Sequence, residues 1–514
     1  MRFVRFFLKI AVVLALAIFI LRLIYPLPSL QSGEVSAAIP VSKETNLGRT
    51  FLPLMDENEG KTGVIPLADG RDALVSRIML ARAAQQTIDI QYYIWQTDTT
   101  GWILLDELRI AAERGVRVRM LLDDNGIPGL DNVLADLAKM DNVEIRLFNP
   151  FTFRQPKLLS YVFDPFRLNR RMHNKSMTVD GVATIIGGRN IGDIYFAYGE
   201  GTAYFDYDIL AVGPGAADVS QDFDRYWTSE SSYNALDILA PPDGGLDELL
   251  SAVTQAMQNS RASEYAKVLN SAPVISRLLA GEDLFEWTVV KLISDDPAKG
   301  LGKADEKGLL LGRLTEMMGQ PERSLDIVSA YLIPGAVGTA LFEDYLEKNI
   351  EIRLVTNSLE ATDVPIVHSA WMGYRDELVR AGAEVLELRS RPRITRTSLL
   401  SQVLTGSQSS LHAKTFAVDG ERIFIGSFNF DPRSATLNTE MGFLVESPQI
   451  ARTLSETLDQ TEVFYRVSED RDGKMQWTET IYDSLKMWTE EPNTSRTQRI
   501  IVKIMSYLPF EWVL

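Results

Sequence analysis

The chain contains no cysteine and only three histidines among its 514 residues. The lack of cysteine excludes disulfide bonds, thiolate metal sites and a cysteine nucleophile. The scarcity of histidine leaves only His173, His368 and His412 for any chemistry that needs an imidazole. Basic residues are also few beside acidic ones, 52 against 69, so the formal net charge is -17. We expect no nucleic-acid partner, because binding of nucleic acid depends on many Lys and Arg contacts to phosphate.

Two of the three histidines open the same sequence pattern. Residues 172–190 read MHNKSMTVDGVATIIGGRN, and residues 411–429 read LHAKTFAVDGERIFIGSFN. In each stretch a Lys follows the His by two positions, an Asp-Gly pair by seven and eight, and an Asn by seventeen. A single His-x-Lys is usually an ordinary exposed pair on a strand. Two copies of so long a pattern indicate an internal duplication.

Each stretch is predicted to form a hairpin that carries half of one site. His and Lys two positions apart point to the same face of a strand, and Asp-Gly between two apolar runs is typical of a tight turn. The return strand then brings the Asn back to the level of the His. Two imidazoles, two ammonium groups and two carboxamides suit a phosphoryl group without a metal, because Lys and Asn can neutralise its oxygens. The candidate catalytic residues are His173, Lys175, Asn190, His412, Lys414 and Asn429.

These residues resemble the paired H-x-K-x4-D motif of the phospholipase D superfamily. The chain is more narrowly similar to the bacterial cardiolipin synthases of that superfamily, over roughly residues 60 to 514. The supporting stretches are residues 89–95 (DIQYYIW), 121–125 (LLDDN), 187–190 (GGRN) and 509–512 (PFEW). The resemblance implies an α/β fold with two similar phospholipase D-like αβα sandwich halves around one shared cleft, and no cofactor.

The resemblance also implies the roles of the two histidines. His173 is assigned as the nucleophile that forms a phosphohistidine, and His412 as the acid and then the base. The symmetry of the sequence by itself permits the reverse assignment. Imidazoles in such roles need carboxylates that fix the tautomer, and the candidates are Asp206, with Asp208 as a competitor, and Glu440.

Three further residues receive weaker expectations. Asp180 and Asp419 belong to the family motif, but their place in the hairpin turn predicts a structural role. His368 stands at the start of a predicted helix, and it is a candidate for the acceptor side of the cleft.

Strands alternate with helices in both halves of the chain, which predicts a sheet covered on both faces in each half. Neither half has a complete site, so the two must pack with their hairpins facing one cleft. The predicted division is residues 1–25 as an N-terminal membrane anchor or signal, 26–60 as a tether, 61–228 as the first phospholipase D-like half, 229–321 as a connector with accessory helices, 322–450 as the second half, and 451–514 as a C-terminal helical segment suited to a membrane interface.

Residues 6–24 are apolar except for Lys9 and Arg22 near the ends, which predicts one spanning helix at the bacterial inner membrane. A signal peptide cleaved near residues 35–37 is the alternative. Basic residues before the helix place the catalytic body outside that membrane. Two basic insertions, residues 154–171 and 389–396, are predicted to gather anionic headgroups beside the cleft. Apolar residues of the first insertion either dip into lipid or fold back onto the core.

The leading prediction is a phosphatidyltransferase that resembles cardiolipin synthase and acts on membrane phospholipids. Phosphatidylglycerol is the expected acceptor, with phosphatidylethanolamine as an alternative donor. A phospholipase D hydrolase uses the same residues with water as the acceptor, so only the acceptor separates the two enzymes. A nuclease of the superfamily is disfavoured by the acidic charge and the anchor. A membrane scaffold with a dead site is disfavoured because all six polar site residues are present.

Overall fold

The computed structural model contains two large β-sheets, each covered by helices. It describes residues 25–30, 35–198, 202–240, 244–258, 284–391, 408–460, 462–481 and 484–508, with scattered residues before residue 25 and residue 277. About half of the predicted anchor at residues 1–25 lies outside the described residues, as do residues 509–512 and most of the second basic insertion. Across the described parts of the chain, no helix is both long enough and apolar enough to span a membrane.

The strands and helices alternate along most of the chain. The strands are β1 (Thr62–Leu67), β2 (Thr87–Tyr92), β3 (Arg117–Asp123), β4 (Val143–Phe148), β5 (Ser176–Val179), β6 (Ala183–Gly187), β7 (Thr202–Phe205), β8 (Asp208–Val212), β9 (Ser232–Asn234), β10 (Glu286–Thr288), β11 (Val290–Ser294), β12 (Ser324–Ser329), β13 (Glu351–Asn357), β14 (Glu384–Leu388), β15 (Gln408–Leu411), β16 (Lys414–Val418), β17 (Arg422–Gly426), β18 (Met441–Val445), β19 (Phe464–Glu469), β20 (Met475–Ile481) and β21 (Ser484–Trp488). The α-helices are α1 (Asn46–Glu57), α2 (Gly70–Ala83), α3 (Thr99–Glu113), α4 (Asp131–Leu137), α5 (Leu159–Phe163), α6 (Pro165–Leu168), α7 (Pro214–Trp227), α8 (Ala235–Ile238), α9 (Gly245–Gln258), α10 (Leu310–Met318), α11 (Gly335–Glu347), α12 (Pro365–Ala381), α13 (Pro432–Thr436), α14 (Pro448–Leu458) and α15 (Arg496–Met505).

The two sheets repeat one strand order. The first runs β10-β1-β8-β6-β5-β2-β3-β4-β9, and the second runs β11-β18-β17-β16-β12-β13-β14-β19-β20-β21. The seven strands from β1 to β4 in the first order match the seven from β11 to β14 in the second. In both sheets the central strands that are joined through helices run parallel, and the hairpin strands run antiparallel. The duplication in the sequence is therefore a duplication of the fold.

Each hairpin turn has the backbone that its Asp-Gly pair predicts. Asp180 and Asp419 have φ angles of 49° and 57°, and the glycine after each is also left-handed, as a two-residue hairpin turn requires. Each carboxylate accepts hydrogen bonds from three successive backbone N–H groups in the loop before the neighbouring strand. Those donors are residues 85–87 for Asp180 and residues 322–324 for Asp419. These two side chains hold the turn at the end of the sheet.

The halves are joined by pairing of the main chain as well as by apolar packing. Strand β7 of the first half and β15 of the second form a separate two-stranded parallel sheet. A second parallel bridge joins Met172 to Thr439. Beneath these pairs, apolar residues of β6 and β8 pack with those of β17 and β18 in one buried cluster. The hydrogen bonds of these strand pairs therefore fix the position of the two halves on either side of the cleft.

Two predicted segments contain strands in addition to the helices expected of them. The connector at residues 229–321 supplies β9 and β10 to the first sheet, and β11 and α10 to the second half. The C-terminal helical segment at residues 451–514 contains β19, β20 and β21, which extend the second sheet beyond β14. These strands alternate polar and apolar residues at the edges of the sheets, so they lack the continuous apolar runs that marked the central strands.

Candidate active site

Each histidine contacts a carboxylate from the opposite half of the molecule. His173 Nδ1 lies 2.8 Å from Glu440 Oε2, and His412 Nδ1 lies 2.5 Å from Asp206 Oδ2. All four side chains are buried or nearly so. The sequence predicts both carboxylates as partners of the histidines, but it does not predict that the pairs cross between the halves. One consequence is that neither half can orient its own histidine.

The crossing follows from the parallel pairing between the halves. In the β7–β15 pair, Phe205 is opposite Leu411, so the next residues along the two chains are Asp206 and His412. The bridge between Met172 and Thr439 places His173 and Glu440 next to each other in the same way. The backbone N–H of His173 donates to the Thr439 carbonyl at 2.8 Å, and that of His412 to the Phe205 carbonyl at 2.8 Å. Parallel register thus sets both histidine–carboxylate contacts.

The chain around Asp206 is held by Gly188 and Arg189. A Cβ on Gly188 would lie 2.1 Å from Asp206 Oδ1, so only glycine permits this approach. Arg189 is fully buried and donates to the backbone carbonyls of Leu67, Ala68, Tyr195 and Asp206.

The competing carboxylate, Asp208, lies elsewhere. It pairs with Arg77 at 2.8 Å and accepts from the Arg189 backbone N–H at 3.2 Å. Asp206 is therefore the carboxylate that contacts His412.

Lys175 and Lys414 occupy equivalent positions beside the two imidazoles. Each ammonium donates to the backbone carbonyl of the histidine two residues before it, which fixes both long side chains. Burial lowers the pKa of Lys175 well below its ordinary value, and the charge of Lys414 lowers it further. Burial lowers the pKa of Lys414 as well. A phosphodiester anion between the two groups would relieve this repulsion, so the pocket is suited to an anion.

The environment of His173 favours a neutral imidazole. Burial, then the charges of Lys175 and Lys414, hold the pKa of His173 well below its ordinary value. Its Nδ1 also lies 3.1 Å from the Ser427 carbonyl, which can only accept a hydrogen bond. The proton therefore resides on Nδ1, and the lone pair on Nε2 is free to attack an electrophile.

The pKa values of the two carboxylates are shifted in opposite directions. Burial raises the pKa of Glu440 to about 7, although Lys175 opposes the shift. Asp206 is equally buried, yet the charge and hydrogen bond of His412 hold its pKa below the ordinary value. Burial and then Lys414 lower the pKa of His412 below its ordinary value, and the nearby Asp206 carboxylate offsets part of that shift. An ionised Asp206 can support a protonated His412 more strongly than a half-protonated Glu440 can support His173.

The two asparagines lie at the ends of the return strands. Asn190 Oδ1 accepts from the Ile94 backbone N–H at 3.1 Å, which ties it to the segment after β2. Asn429 is 4 % exposed, and within the described residues its Oδ1 has no hydrogen-bond partner. The structure brings His173, Lys175, His412 and Lys414 to the junction of the halves, where their charges act on one another. Asn190 joins them through Tyr195, whose ring meets that of His412.

Four tyrosines around the histidines were not predicted as site residues. The ring of Tyr93 lies 5.1 Å from that of His173, and the ring of Tyr204 stacks on His412 at 5.1 Å. Tyr195 meets His412 edge-on at 5.3 Å. Tyr331 and Tyr204 both donate to Asp363, at 3.2 and 3.3 Å.

A sequence signal exists for two of these tyrosines, because Tyr93 and Tyr331 both follow the first central strand of their half.

The expectation for His368 is not met by its contacts. Its imidazole is buried, and Nε2 lies 3.3 Å from Glu491, which pairs with Arg375 at 2.6 Å. Burial lowers the pKa of His368, but Glu491 more than compensates, so the pKa is raised. His368 thus belongs to an internal ion-pair network rather than to the pocket.

The basic insertions are also used differently from the prediction. Most of their described cations form ion pairs within the protein, so they are not free to gather headgroups. The pairs are Arg154 and Lys157 with Asp124, Arg167 with Asp164, Arg171 with Asp123, and Arg389 with Glu479. The apolar residues of the first insertion divide between two roles. Tyr161 and Phe163 pack on Phe151 and Phe153, whereas Leu158, Val162 and Phe166 are exposed.

Comparison with known proteins agrees with this geometry. The family model described as "Cardiolipin synthase, PLD-like domain" matches residues 78–227 and 314–461. Cardiolipin synthase C of Escherichia coli (strain K12) is 43% identical over 471 residues, which cover 91% of this chain and 99% of that protein. An uncharacterized protein of Helicobacter pylori is 32% identical over 506 residues, which cover 90% of this chain and 92% of that protein. The solved structure of phosphatidylserine synthase from Haemophilus influenzae Rd KW20 covers 91% of this chain and 100% of that chain, with a TM-score of 0.56 and 14% identity. This last likeness concerns the fold.

Proposed function

The chain belongs to the family of phospholipase D-like cardiolipin synthases, and we propose from this premise that it is a phosphatidyltransferase that makes cardiolipin. It would transfer the phosphatidyl group of a donor phospholipid to the free hydroxyl of phosphatidylglycerol. The observation that carries the proposal is the pair of crossed histidine–carboxylate contacts, which supports joint action of the two imidazoles on one phosphoryl group. The 43% identity to cardiolipin synthase C supports the lipid acceptor.

The first step uses His173 as the nucleophile. Its Nε2 lone pair attacks phosphorus in line, a P–N bond forms, and the P–O bond to the leaving alcohol breaks. His412, protonated on Nε2 and supported by Asp206, gives that proton to the departing alkoxide. Lys175, Lys414, Asn190 and Asn429 hold the phosphoryl oxygens while charge develops on them.

The second step reverses the proton transfers. His412, now neutral, takes the proton from the hydroxyl of the acceptor lipid. The acceptor oxygen attacks phosphorus and the P–N bond to His173 breaks, which restores the free imidazole. The net reaction exchanges one alcohol for another on a phosphodiester. Five of the six polar residues are buried and His412 is only slightly exposed, which supports transfer to a lipid over hydrolysis because little water reaches the phosphohistidine.

We propose further that the enzyme works at the bacterial inner membrane, with its catalytic body on the outer side. The apolar run of residues 6–24 supports an anchor, and Tyr25 packs 5.3 Å from Phe153 of the first insertion. Phe166 and Leu158 are 84 % and 77 % exposed, so the insertion presents bare apolar side chains next to that segment. Such side chains gain free energy when they enter the boundary of a bilayer.

The test of the function separates the lipid products. Purified protein is incubated with labelled phosphatidylglycerol, with and without phosphatidylethanolamine, in the presence of a metal chelator. Cardiolipin is the expected product, and phosphatidic acid alone would identify a hydrolase instead. If the chain forms no product in the chelator and added divalent metal restores turnover, the metal-free mechanism is refuted.

The membrane contact can be tested because the chain has no cysteine. A Phe166→Cys variant labelled with an environment-sensitive fluorophore should shift its emission to the blue on anionic phospholipid vesicles. Lys348→Cys is the matched control, since Lys348 is an exposed charged residue that pairs with Asp344. Equal spectra for the two labelled positions would contradict insertion of this segment into lipid.

A further inference from the structure

A large apolar cavity lies in the second half, between its sheet and two helices. Its volume is about 400 Å³, within the range of ligand pockets. Helices α10 and α11 form its outer walls, and strands β12 and β16 form its floor. Val337 and Leu341 of α11 line it and are exposed at its rim, so the cavity opens to the surface through apolar side chains.

The equivalent space in the first half is filled. There the paired residues Ile88 and Val179, and Ile90 and Met177, are buried in one cluster under α2 and α3. The second half has the same pairs as Leu325 with Val418 and Ile327 with Phe416, but these line the cavity. Helix α2 has 14 residues, whereas its counterpart α10 has only 9. The shorter helix leaves part of the sheet uncovered.

The hydrogen-bonding groups around the cavity already have partners within the protein. Thr315 donates to the Leu311 carbonyl at 2.9 Å, and Tyr345 donates to Gln320 at 2.7 Å. Asp431 accepts from the Ser434 backbone N–H at 2.6 Å. A polar ligand would therefore find few partners, whereas a hydrocarbon chain needs none. Because a methylene is about as large as a water molecule, roughly 30 Å³, the cavity has room for on the order of a dozen methylenes.

One end of the cavity adjoins the candidate active site. Phe428, Phe430 and Asp431 line it, and Asn429 of the site lies between them in the chain. Lys414 and Phe416 lie two residues apart on β16, so they share one face at a spacing of about 7 Å. Asp431 is also close enough to Glu440 for the two carboxylates to act on each other.

The direction of in-line attack decides which lipid approaches phosphorus from the side of the cavity. In-line displacement places the leaving or entering alcohol opposite the nucleophile. With His173 in the first half as the nucleophile, that alcohol lies on the side of His412, in the half that contains the cavity.

We propose that the cavity binds an acyl chain of the acceptor phospholipid and so favours a lipid over water in the second step. The inference rests on the proposed function and names the acceptor subsite of the same site. It predicts that long acceptor chains gain free energy that short chains do not, since each methylene buried from water adds to binding.

The test varies the acceptor alone. The donor is a phosphatidyl ester of p-nitrophenol with fixed chains, and the acceptors are phosphatidylglycerols with butanoyl or myristoyl chains. In the native chain, kcat/KM for the long acceptor should exceed that for the short one by at least about tenfold. Leu341→Trp and Thr315→Trp fill the cavity from opposite walls, and each should reduce this ratio to about one or two. Phosphatidic acid should rise among their products.

Ala340→Trp is the matched control, because Ala340 is exposed on α11 beside Leu341 but does not line the cavity. It should keep the native ratio. Release of p-nitrophenol shows that each variant is folded and completes the first step. An unchanged ratio in both filled variants, or loss of preference for donor chains instead, would overturn the acceptor subsite. No transfer by the native chain to any acceptor would instead overturn the proposed function.

Discussion

The two halves share a strand order and a hairpin, yet they differ at the point where the chemistry occurs. Equivalent strands carry His173 and His412, but the carboxylate that each imidazole meets comes from the other half. The two carboxylates also differ in the length of their side chains and in the direction of their pKa shifts. The duplication therefore supplies two similar hairpins whose histidines lie in different surroundings.

The electrostatic difference supports the roles that we propose for the two histidines. Burial raises the pKa of Glu440 to about 7, so its support for a cationic His173 is weak. Asp206 stays ionised because His412 holds its pKa low. A neutral imidazole is what a nucleophile needs, and a supported imidazolium is what an acid needs. The cavity is a second difference between the halves, and it lies in the half that contains His412, the proposed acid.

The sharpest way to break the comparison is to remove each imidazole. His173→Ala should lower turnover of natural lipid by more than about 10⁴-fold, because no covalent intermediate can form. His412→Ala should lower it by about 10²- to 10⁴-fold, since only proton transfer is lost. The measurement is product formation from labelled phosphatidylglycerol under single-turnover conditions.

A p-nitrophenol ester distinguishes the two variants, because its leaving group needs no acid. His412→Ala should then give a burst close to one equivalent of p-nitrophenol per chain, whereas His173→Ala should give none. A burst from His173→Ala would reverse the roles of the two halves.

Replacing the carboxylates sharpens the comparison further. Asp206→Asn should lower kcat by about 10³-fold, because the amide removes a charge that supports the imidazolium of His412. Glu440→Gln should cost only about 10- to 10²-fold, since the Ser427 carbonyl still accepts from His173 Nδ1. Rates of transfer for the two variants at one pH provide the check. Losses of equal size would show that the halves are electrostatically equivalent.

The hairpin turns offer a comparison in stability. Asp180 is buried and the hydrogen bonds that it accepts are buried or partly buried, whereas those of Asp419 are mostly exposed to solvent. Asp180→Ala should therefore lower the free energy of unfolding by about 2 to 3 kcal/mol, and Asp419→Ala by about 1 kcal/mol. Urea unfolding curves would measure both, provided that the transition is two-state. The reverse order would contradict the difference in burial.

The smallest effect concerns the pH dependence of stability. The pKa of Glu440 is raised on folding to about 7, so its contribution to stability is greatest at low pH and is lost as pH rises through that value. Between pH 6 and pH 8, the native chain should lose about 1 kcal/mol of stability relative to Glu440→Gln. Asp206 has a lowered pKa, so its own contribution is constant over this range. Asp206→Asn is thus the control, and thermal unfolding at both pH values would test the difference.

Much of the site could be predicted because its signals are local. The Asp-Gly turns, the spacing from His to Lys and the apolar runs of the central strands all lie within one hairpin or one strand. Asp206 and Glu440 were within reach for the same reason, as each lies on or just before the strand after its hairpin. The crossing of the histidine–carboxylate pairs could not be predicted, because it depends on pairing between β7 and β15, which are some 200 residues apart in sequence.

Other errors have the same physical origin. The edge strands β19 to β21 bury one face only, so their alternating pattern is weaker than that of a central strand. The sequence around His368 does not reveal its ion pair, because its partner, Glu491, follows it by more than a hundred residues. The sequence predicts that cations of the first insertion attract anionic headgroups, but Asp124 and Asp123, which precede the insertion in the chain, pair with Arg154 and Arg171. Contacts across the fold decide such cases.

The most direct measurement is to locate the covalent intermediate. The enzyme is mixed with the p-nitrophenol ester, quenched in base, digested and mapped by mass spectrometry. We expect one phosphatidyl-modified histidine per chain, at His173, and none at His412. Modification of His412, or of both histidines, would contradict a single site in which the two halves have different roles.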